Sequence, residues 1–456
     1  MPARKAAPAK NTVKPDGLRL RLVVPGNVRH NSGGNVYNAA LARELAALGV
    51  EVDICPLDGG WPVGSPEDRR RLATLLCDGD SGGASEHDAG DDDDAGADAA
   101  SGAAMRRVTL VDGLLACGAP EELAAAAAAG RPAWILLHMP LDDTGHGEAA
   151  LERRALRAAA GVICTSTSAA AGIRARHGLD GVTTALPGSD AAALAAGSEP
   201  PHFLAVAALL PNKDQSLLLA ALSALTDLPW TASLVGSDAA DPAYAARLRD
   251  TVDRLGLQDR IRIPGELRGG ALEAEWSAAD LSLLISQAET FGLVVTESIA
   301  RGVPVVVRAG TGAVEALAAG TPAPAAPATL TAAPGAPAQP TPAPSPAAAD
   351  SAALLPGTAV ALGTDPAPLT EVLRRWLSEP GLRTRWRGAA VAARDRLPGW
   401  DATARTVLAA IAPERPGSER HGSNHPAPEL PADRQRAAPQ EKPDAEDSPA
   451  AQAGGQ

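Results

Sequence analysis

Large rings are scarce in this chain: aromatic residues make up 2% of its 456 positions, with two tyrosines and two phenylalanines. Stacking platforms for single-stranded nucleic acid need such rings on a basic surface. The formal net charge here is −13, so general nucleic-acid binding is excluded as a leading function. Cysteine is equally sparse. Cys55, Cys77, Cys117 and Cys164 are scattered with no C-x-x-C pair, which argues against a disulfide framework or a zinc knuckle and suits a reducing cytoplasm. No stretch offers eighteen apolar residues free of proline, glycine and charge, so no membrane span is expected, while peripheral membrane contact stays open. The start, "MPARKAAPAKNTVKPDG", is basic but lacks the apolar segment of a secretory signal.

Small residues fill the space that the rings leave. Cores must be built from alanine, leucine and valine, and the length suits two domains or more. Residues 1–17 read as a disordered basic tail, and residues 412–456 as a polar, proline-rich disordered tail. An acidic stretch at 78–104, with Asp91 to Asp94 in a row, has almost no large apolar residue and reads as a solvated insertion. A Pro/Ala-rich tract at 320–349 reads as an extended insertion.

The remainder alternates strands with helices. "LRLRLVVPG" is a strand, Asn35 to Gly49 has helical periodicity, and "VEVDICPL" is a strand again. "RRVTLVDGLL", "AWILLHMPL" and "AAGVICTSTSAAAGI" continue the rhythm. A second series opens at "HFLAVAALLP" and runs through "WTASLVGS", "RIRIPGEL", "LSLLIS", a helix at "TESIARG", and "VPVVVRAG". Two α/β series imply two facing Rossmann-like domains, 18–195 and 196–411, with a cleft between them. Ligands of such sheets sit beyond the carboxyl ends of the strands, so the loops there carry the chemistry.

Four such loops stand out. Ser32, Gly33 and Gly34 precede a helix, where bare amides and the helix dipole favour an anion, though a capped tight turn would look the same. His138 ends the apolar strand "WILL" and is aimed at the cleft; a structural histidine is the alternative. Lys213 lies between a strand and a helix, where an ammonium can neutralise a diphosphate. In "SQAETFGLVVTES", Glu289 follows a strand, Phe291 and Gly292 form a turn, and Glu297 is expected in the first turn of the next helix. Carboxylates in such places suit recognition of vicinal hydroxyls; for Glu297 a first-turn acid stabilised by the helix dipole is the plain alternative.

"SQAETFGLVVTESIARGVPVV" is similar to the E-x7-E signature of retaining glycosyltransferases of the GT-B fold, family 4 (group 1). "VAALLPNKDQSLLLAAL" looks like that family's phosphate loop and "SGGNVYNAALARELAALG" like its N-terminal glycine loop. The resemblance spans most of residues 18–411 outside the two insertions. It implies transfer of a sugar from a nucleotide-diphosphate sugar donor to an acceptor with retained anomeric configuration, without metal or other cofactor. By position, Glu289 would contact the sugar hydroxyls, Glu297 the ribose hydroxyls and Lys213 the diphosphate. The amides of Gly292, Leu293 and Val294 would hold sugar or phosphate. His138 would lie near the reacting centre, and Gly33 and Gly34 near the donor phosphates and the acceptor.

Two positions depart from the family pattern. Ala207–Ala208 stands where the family has a glycine–arginine pair, which leaves one diphosphate charge without its usual partner unless Arg29 or another residue supplies it. Thr290 stands where a glycine normally follows the first glutamate. The expected protein is a cytoplasmic hexosyltransferase-like enzyme whose acceptor is a small molecule, a glycan or a lipid-linked group. The alternative is a weakened or inactive relative that serves as a nucleotide-sugar-binding or scaffold protein.

Overall fold

Apolar strands separated by helices must pair in parallel, because each helix carries the chain back to the starting edge of the sheet. A computed structural model describes residues 17–27, 32–77, 106–141, 147–322 and 354–412. The acidic insertion with Asp91 to Asp94, nearly all of the Pro/Ala tract, both tails and Arg29 lie outside the described residues. The described residues all belong to one compact unit.

The first domain contains β1 (Leu18–Pro25), α1 (Gly33–Ala47), β2 (Glu51–Leu57), α2 (Pro66–Cys77) and β3 (Arg106–Asp112). It continues through α3 (Gly113–Ala116), α4 (Pro120–Ala128), β4 (Trp134–Leu137), α5 (Glu148–Ala158), β5 (Gly161–Cys164), α6 (Thr167–His177) and β6 (Thr183–Thr184). The second opens with β7 (His202–Val206), a short 3-10 turn (Pro211–Lys213), α7 (Gln215–Ser223), β8 (Thr231–Val235) and α8 (Pro242–Arg254). Then come β9 (Ile261–Gly265), α9 (Gly269–Ala278), β10 (Leu281–Leu284), α10 (Leu293–Ala300), β11 (Val305–Arg308), α11 (Ala313–Ala318) and β12 (Gly357–Val360). Three helices close the described chain: α12 (Ala367–Ser378), α13 (Pro380–Arg394) and α14 (Trp400–Ile411).

Each domain has a six-stranded sheet, ordered β2-β1-β3-β4-β5-β6 in the first and β12-β11-β10-β7-β8-β9 in the second. Every described pairing is parallel, as in β1 with β3 and β10 with β7. The strand order reverses between β1 and β3 in one sheet and between β7 and β10 in the other. Loops leaving such neighbours diverge to opposite faces and open a crevice, so these two places are where ligands are expected.

The few rings are spent on the cores. In the second domain Phe203 packs between Trp230 and Trp376, with ring centroids 6.1 and 5.6 Å apart, and all three are buried. Aliphatic side chains fill the rest; Leu20, Leu22, Leu41, Leu110 and Leu136 of the first domain are fully buried. Removing one such side chain is expected to cost about 2–5 kcal/mol.

One helix departs from the order of the sequence. α14 lies within the range read as the second domain, yet Trp400, Ala404, Val407 and Ile411 pack in the core of the first. Trp400 meets Tyr37 edge-on at 5.4 Å, and Thr403 Oγ1 donates to Leu186 O at 2.7 Å. Gly188 admits this helix, since a Cβ there would lie 2.2 Å from the Trp400 nitrogen. The sequence range could not show this, because an amphipathic helix looks alike whichever core it covers.

Candidate active site

The two sheets present their switch points to one cavity of about 440 Å³. Gly33, Gly34, His138, Lys213, Glu289, Gly292, Leu293, Val294 and Glu297 all line it. The loops predicted from sequence therefore converge, although they come from two domains and span 265 positions of the chain, from 33 to 297.

At the switch point of the second sheet, the loops after β7 and β10 are fastened together. Gln287 N donates to Asn212 O at 2.8 Å, and Lys213 Nζ donates to Glu289 Oε2 at 2.9 Å. The pair is partly shielded, with 22% and 18% of the two side chains exposed. Asp214, next to Lys213, takes a left-handed conformation at φ 59° and is ion-paired with buried Arg308. Arg308 also donates to Ile285 O at 2.9 Å, so one buried cation holds the bases of both loops. Lys213 is the sole lysine or arginine among the described residues that line the cavity, and Ala207 and Ala208 line it as well.

Gly292 is required where it stands. Its φ of 86° disfavours a side chain, and a Cβ would lie 2.8 Å from Leu284 Cδ2. This turn starts α10 without a side-chain cap. The first-turn amides of Leu293 and Val294 thus remain available at the cavity wall, beside the positive end of the helix dipole.

The expected helix began at "TESIARG"; it starts at Leu293 instead, so Glu297 lies in its second turn. Glu297 is therefore not a first-turn acid stabilised by the dipole. Burial pushes its carboxyl up from the ordinary glutamate value, opposed in part by Arg301. An exposed acid at a helix start would be driven the other way. The fold therefore holds the ionised carboxylate at a net cost.

Across the cleft, Ser32 caps α1 by accepting from Asn35 N at 3.2 Å, which places Gly33 and Gly34 in the first helical turn. Gly34 allows close approach to His138: a Cβ there would lie 3.2 Å from the ring Cδ2. A Cβ at Gly33 would lie 3.7 Å from Leu293 Cδ1 of the other domain. His138 Nε2 stands 2.9 Å from Asn38 Oδ1 and 3.4 Å from Asp112 Oδ2. Asn38 Nδ2 donates to Asp112 Oδ2 at 2.8 Å, and Leu114 N donates to Asp112 Oδ1 at 2.9 Å. Burial pushes the Asp112 carboxyl up, but His138, Asn38 and the Leu114 amide outweigh it and hold it below the usual range.

Sequence reading missed Asn38, Asp112 and Glu315. Asn38 follows Gly34 by one helical turn, and Asp112 ends a strand just before a glycine, so their positions carried a signal. Glu315 had none. Its carboxylate accepts from Thr167 N at 3.0 and 3.2 Å, at the N-terminus of α6 in the opposite domain. Ser168 Oγ adds a second link by donating to Thr290 O at 3.4 Å.

Solved structures share this architecture. HepE of Anabaena, solved with UDP and glucose, aligns with a TM-score of 0.57 at 16% identity, over 86% of this chain and 98% of its own. Sucrose-phosphate synthase from Thermosynechococcus elongatus aligns at 0.59 and 18% identity, over 86% and 97%. A glycosyltransferase from Rickettsia africae aligns at 0.58 and 14%, over 86% and 97%. At such identities the likeness is one of fold, the two-domain GT-B arrangement. No curated protein matches the chain. Residues 189–327, which carry Lys213, Glu289, Gly292 and Glu297 on this GT-B fold, match the family model of the glycosyl transferases group 1.

Proposed function

We propose that this protein transfers a glycosyl group from a nucleotide-diphosphate sugar to an acceptor hydroxyl, with retention of anomeric configuration and without a metal ion. The observation that carries this reading is the meeting of Lys213, Glu289, Glu297 and the uncapped start of α10 on one cavity. Solved neighbours of the same fold were crystallised with UDP and UDP-glucose, which supports the donor class.

In this reading the ribose hydroxyls donate to Glu297, and the diphosphate lies against Lys213 and the amides of Gly292, Leu293 and Val294. The sugar hydroxyls reach Glu289. As the anomeric C–O bond breaks, charge grows on the departing diphosphate, and the ammonium and preorganised amides stabilise it without rearranging. The acceptor oxygen attacks from the same face, and its proton passes to the departing phosphate oxygen. The Glu315 and Ser168 links hold the domains together over the donor and keep out water that would hydrolyse it. We place the enzyme in a reducing cytoplasm, because all four cysteines are free. Burial raises the thiols of Cys117 and Cys164, the latter to about 12, which suits inert core packing.

A second reading has its own observation. With alanine at 207 and 208, Lys213 faces a diphosphate as the lone described lysine or arginine of the cavity, and it is already paired with Glu289. A protein that binds donors without turning them over fits this too. Calorimetry with UDP-, GDP- and ADP-sugars, followed by hydrolysis and transfer assays, separates the two. Binding with turnover supports the transferase, binding without turnover across the panel supports the scaffold, and no binding at all sinks both.

A further inference from the structure

His138 lines the cavity, but what it can offer a ligand depends on which ring nitrogen carries the proton. The surrounding groups decide this by elimination. The Asp112 carboxylate can only accept, and its two oxygens take the Leu114 amide at 2.9 Å and Asn38 Nδ2 at 2.8 Å. Asn38 must therefore turn its NH2 toward Asp112, which leaves its Oδ1 facing His138 Nε2 at 2.9 Å. That oxygen also only accepts, so Nε2 carries the hydrogen. In the neutral ring the other nitrogen, Nδ1, is then bare.

Nδ1 has no hydrogen-bond partner among the described residues, and the side chain keeps 17% of its surface exposed. The ring cannot swing freely. Tyr37 meets it edge-on at 5.2 Å, and the Tyr37 hydroxyl is itself tied to Ala185 O at 2.9 Å. A bare ring nitrogen accepts from a hydroxyl and repels a phosphate oxygen.

We infer that Asp112 and Asn38 are positioning residues that hold His138 in its Nε2–H tautomer, so that Nδ1 accepts a hydrogen bond from a hydroxyl of the bound sugar or of the acceptor. The choice of hydroxyl rests on the transferase reading; the tautomer does not. Asp112 otherwise only caps the four-residue α3 through Leu114, and a purely structural role would end there.

The Asp112→Asn exchange separates these roles because it keeps size and shape. The Leu114 amide still needs an oxygen, so the new NH2 group faces Asn38. The Asn38 amide must then turn over, present its own NH2 to Nε2 and force the proton onto Nδ1.

The measurement is nitrogen NMR of the full chain labelled at histidine, with the His138 signals assigned by difference against His138→Asn. Wild-type protein is expected to show a protonated Nε2 and a bare Nδ1, and Asp112→Asn the reverse. Alongside this, kcat/KM is expected to fall about tenfold to a hundredfold, as when a buried acceptor meets the wrong partner, while affinity for the nucleoside diphosphate alone stays unchanged. A wild-type ring protonated on Nδ1 overturns the inference without need of the variant, and so does an unchanged tautomer in a folded Asp112→Asn. A Nδ1 signal that moves on adding nucleotide sugar assigns the hydroxyl to the donor; one that moves only on adding acceptor assigns it to the acceptor. Movement with nucleoside diphosphate alone overturns the hydroxyl assignment. Wild-type protein that binds no nucleotide sugar refutes the transferase reading and leaves the ring spectrum to decide the tautomer.

Discussion

Lys213 and Glu289, 76 positions apart, are joined by a 2.9 Å hydrogen bond across the switch point of the second sheet. The ammonium gives one of its three N–H donors to Glu289, whose negative charge then partly offsets the attraction of Lys213 for a diphosphate. The two residues are expected to shift nucleotide binding in opposite directions. Lys213→Ala should weaken affinity for nucleoside diphosphate about tenfold to a hundredfold, the usual loss of one charge-assisted hydrogen bond. Glu289→Ala should tighten it several-fold while abolishing most sugar transfer. Calorimetry on both variants tests this, and weaker binding in Glu289→Ala would show that Glu289 does not offset that attraction.

Glu297 should trade stability for binding. Burial raises its carboxyl, so the folded state disfavours the ionised form. The sign follows: this penalty is absent at pH below the ordinary glutamate value and grows as pH rises through the raised one. Glu297→Gln is therefore expected to raise Tm at neutral pH and to change it little in acid, while donor affinity falls. Thermal melts across pH with calorimetry at neutral pH check both halves; a Tm that drops in the variant at neutral pH contradicts the account.

Gly292→Ala should damage the site more than backbone strain alone can explain. Gly256, at φ 66° with nothing within 4 Å of a built Cβ, provides the control for strain. Alanine there is expected to cost about 1 kcal/mol. At Gly292 a Cβ would also press on Leu284 at 2.8 Å and on Glu289 Cγ at 3.3 Å, so kcat/KM should fall as well. Urea unfolding and turnover measured on both variants make the comparison, and equal effects at the two sites would remove the packing argument.

Glu315→Ala should loosen the cleft. The carboxylate caps α6 of the other domain, and such a contact is worth about 0.3–2 kcal/mol. Small-angle scattering is expected to show a larger radius of gyration without ligand, together with a higher KM for the donor. An unchanged scattering curve would mean that other contacts hold the domains.

Much of the fold is legible in the sequence, and the reason is local. Parallel strands run apolar and end abruptly, so His138 and Glu289 could be placed at strand ends, and Lys213 in a loop between a strand and a helix, from the run of residues alone. The start of α10 was misplaced because Leu293 and Val294 continue an apolar stretch that has no capping side chain, and helix and loop look alike there. Glu315 was invisible for a different reason: its partner lies 148 positions away in the other domain, and no periodicity reports such a contact. The Asp112–Asn38–His138 network likewise needs three elements to meet before it exists.

The return of α14 to the first sheet makes the two domains unequal as pieces. The second sheet and its helices form from one continuous stretch, whereas the first domain is discontinuous and completes its core only with Trp400, Ala404, Val407 and Ile411. During synthesis the first sheet, complete at Thr184, must therefore wait with an apolar face uncovered until the helix at Trp400–Ile411 is made, more than two hundred residues later. Expressed alone, residues 18–195 should aggregate or bind a hydrophobic dye, and supplying the 400–411 helix in trans should rescue them.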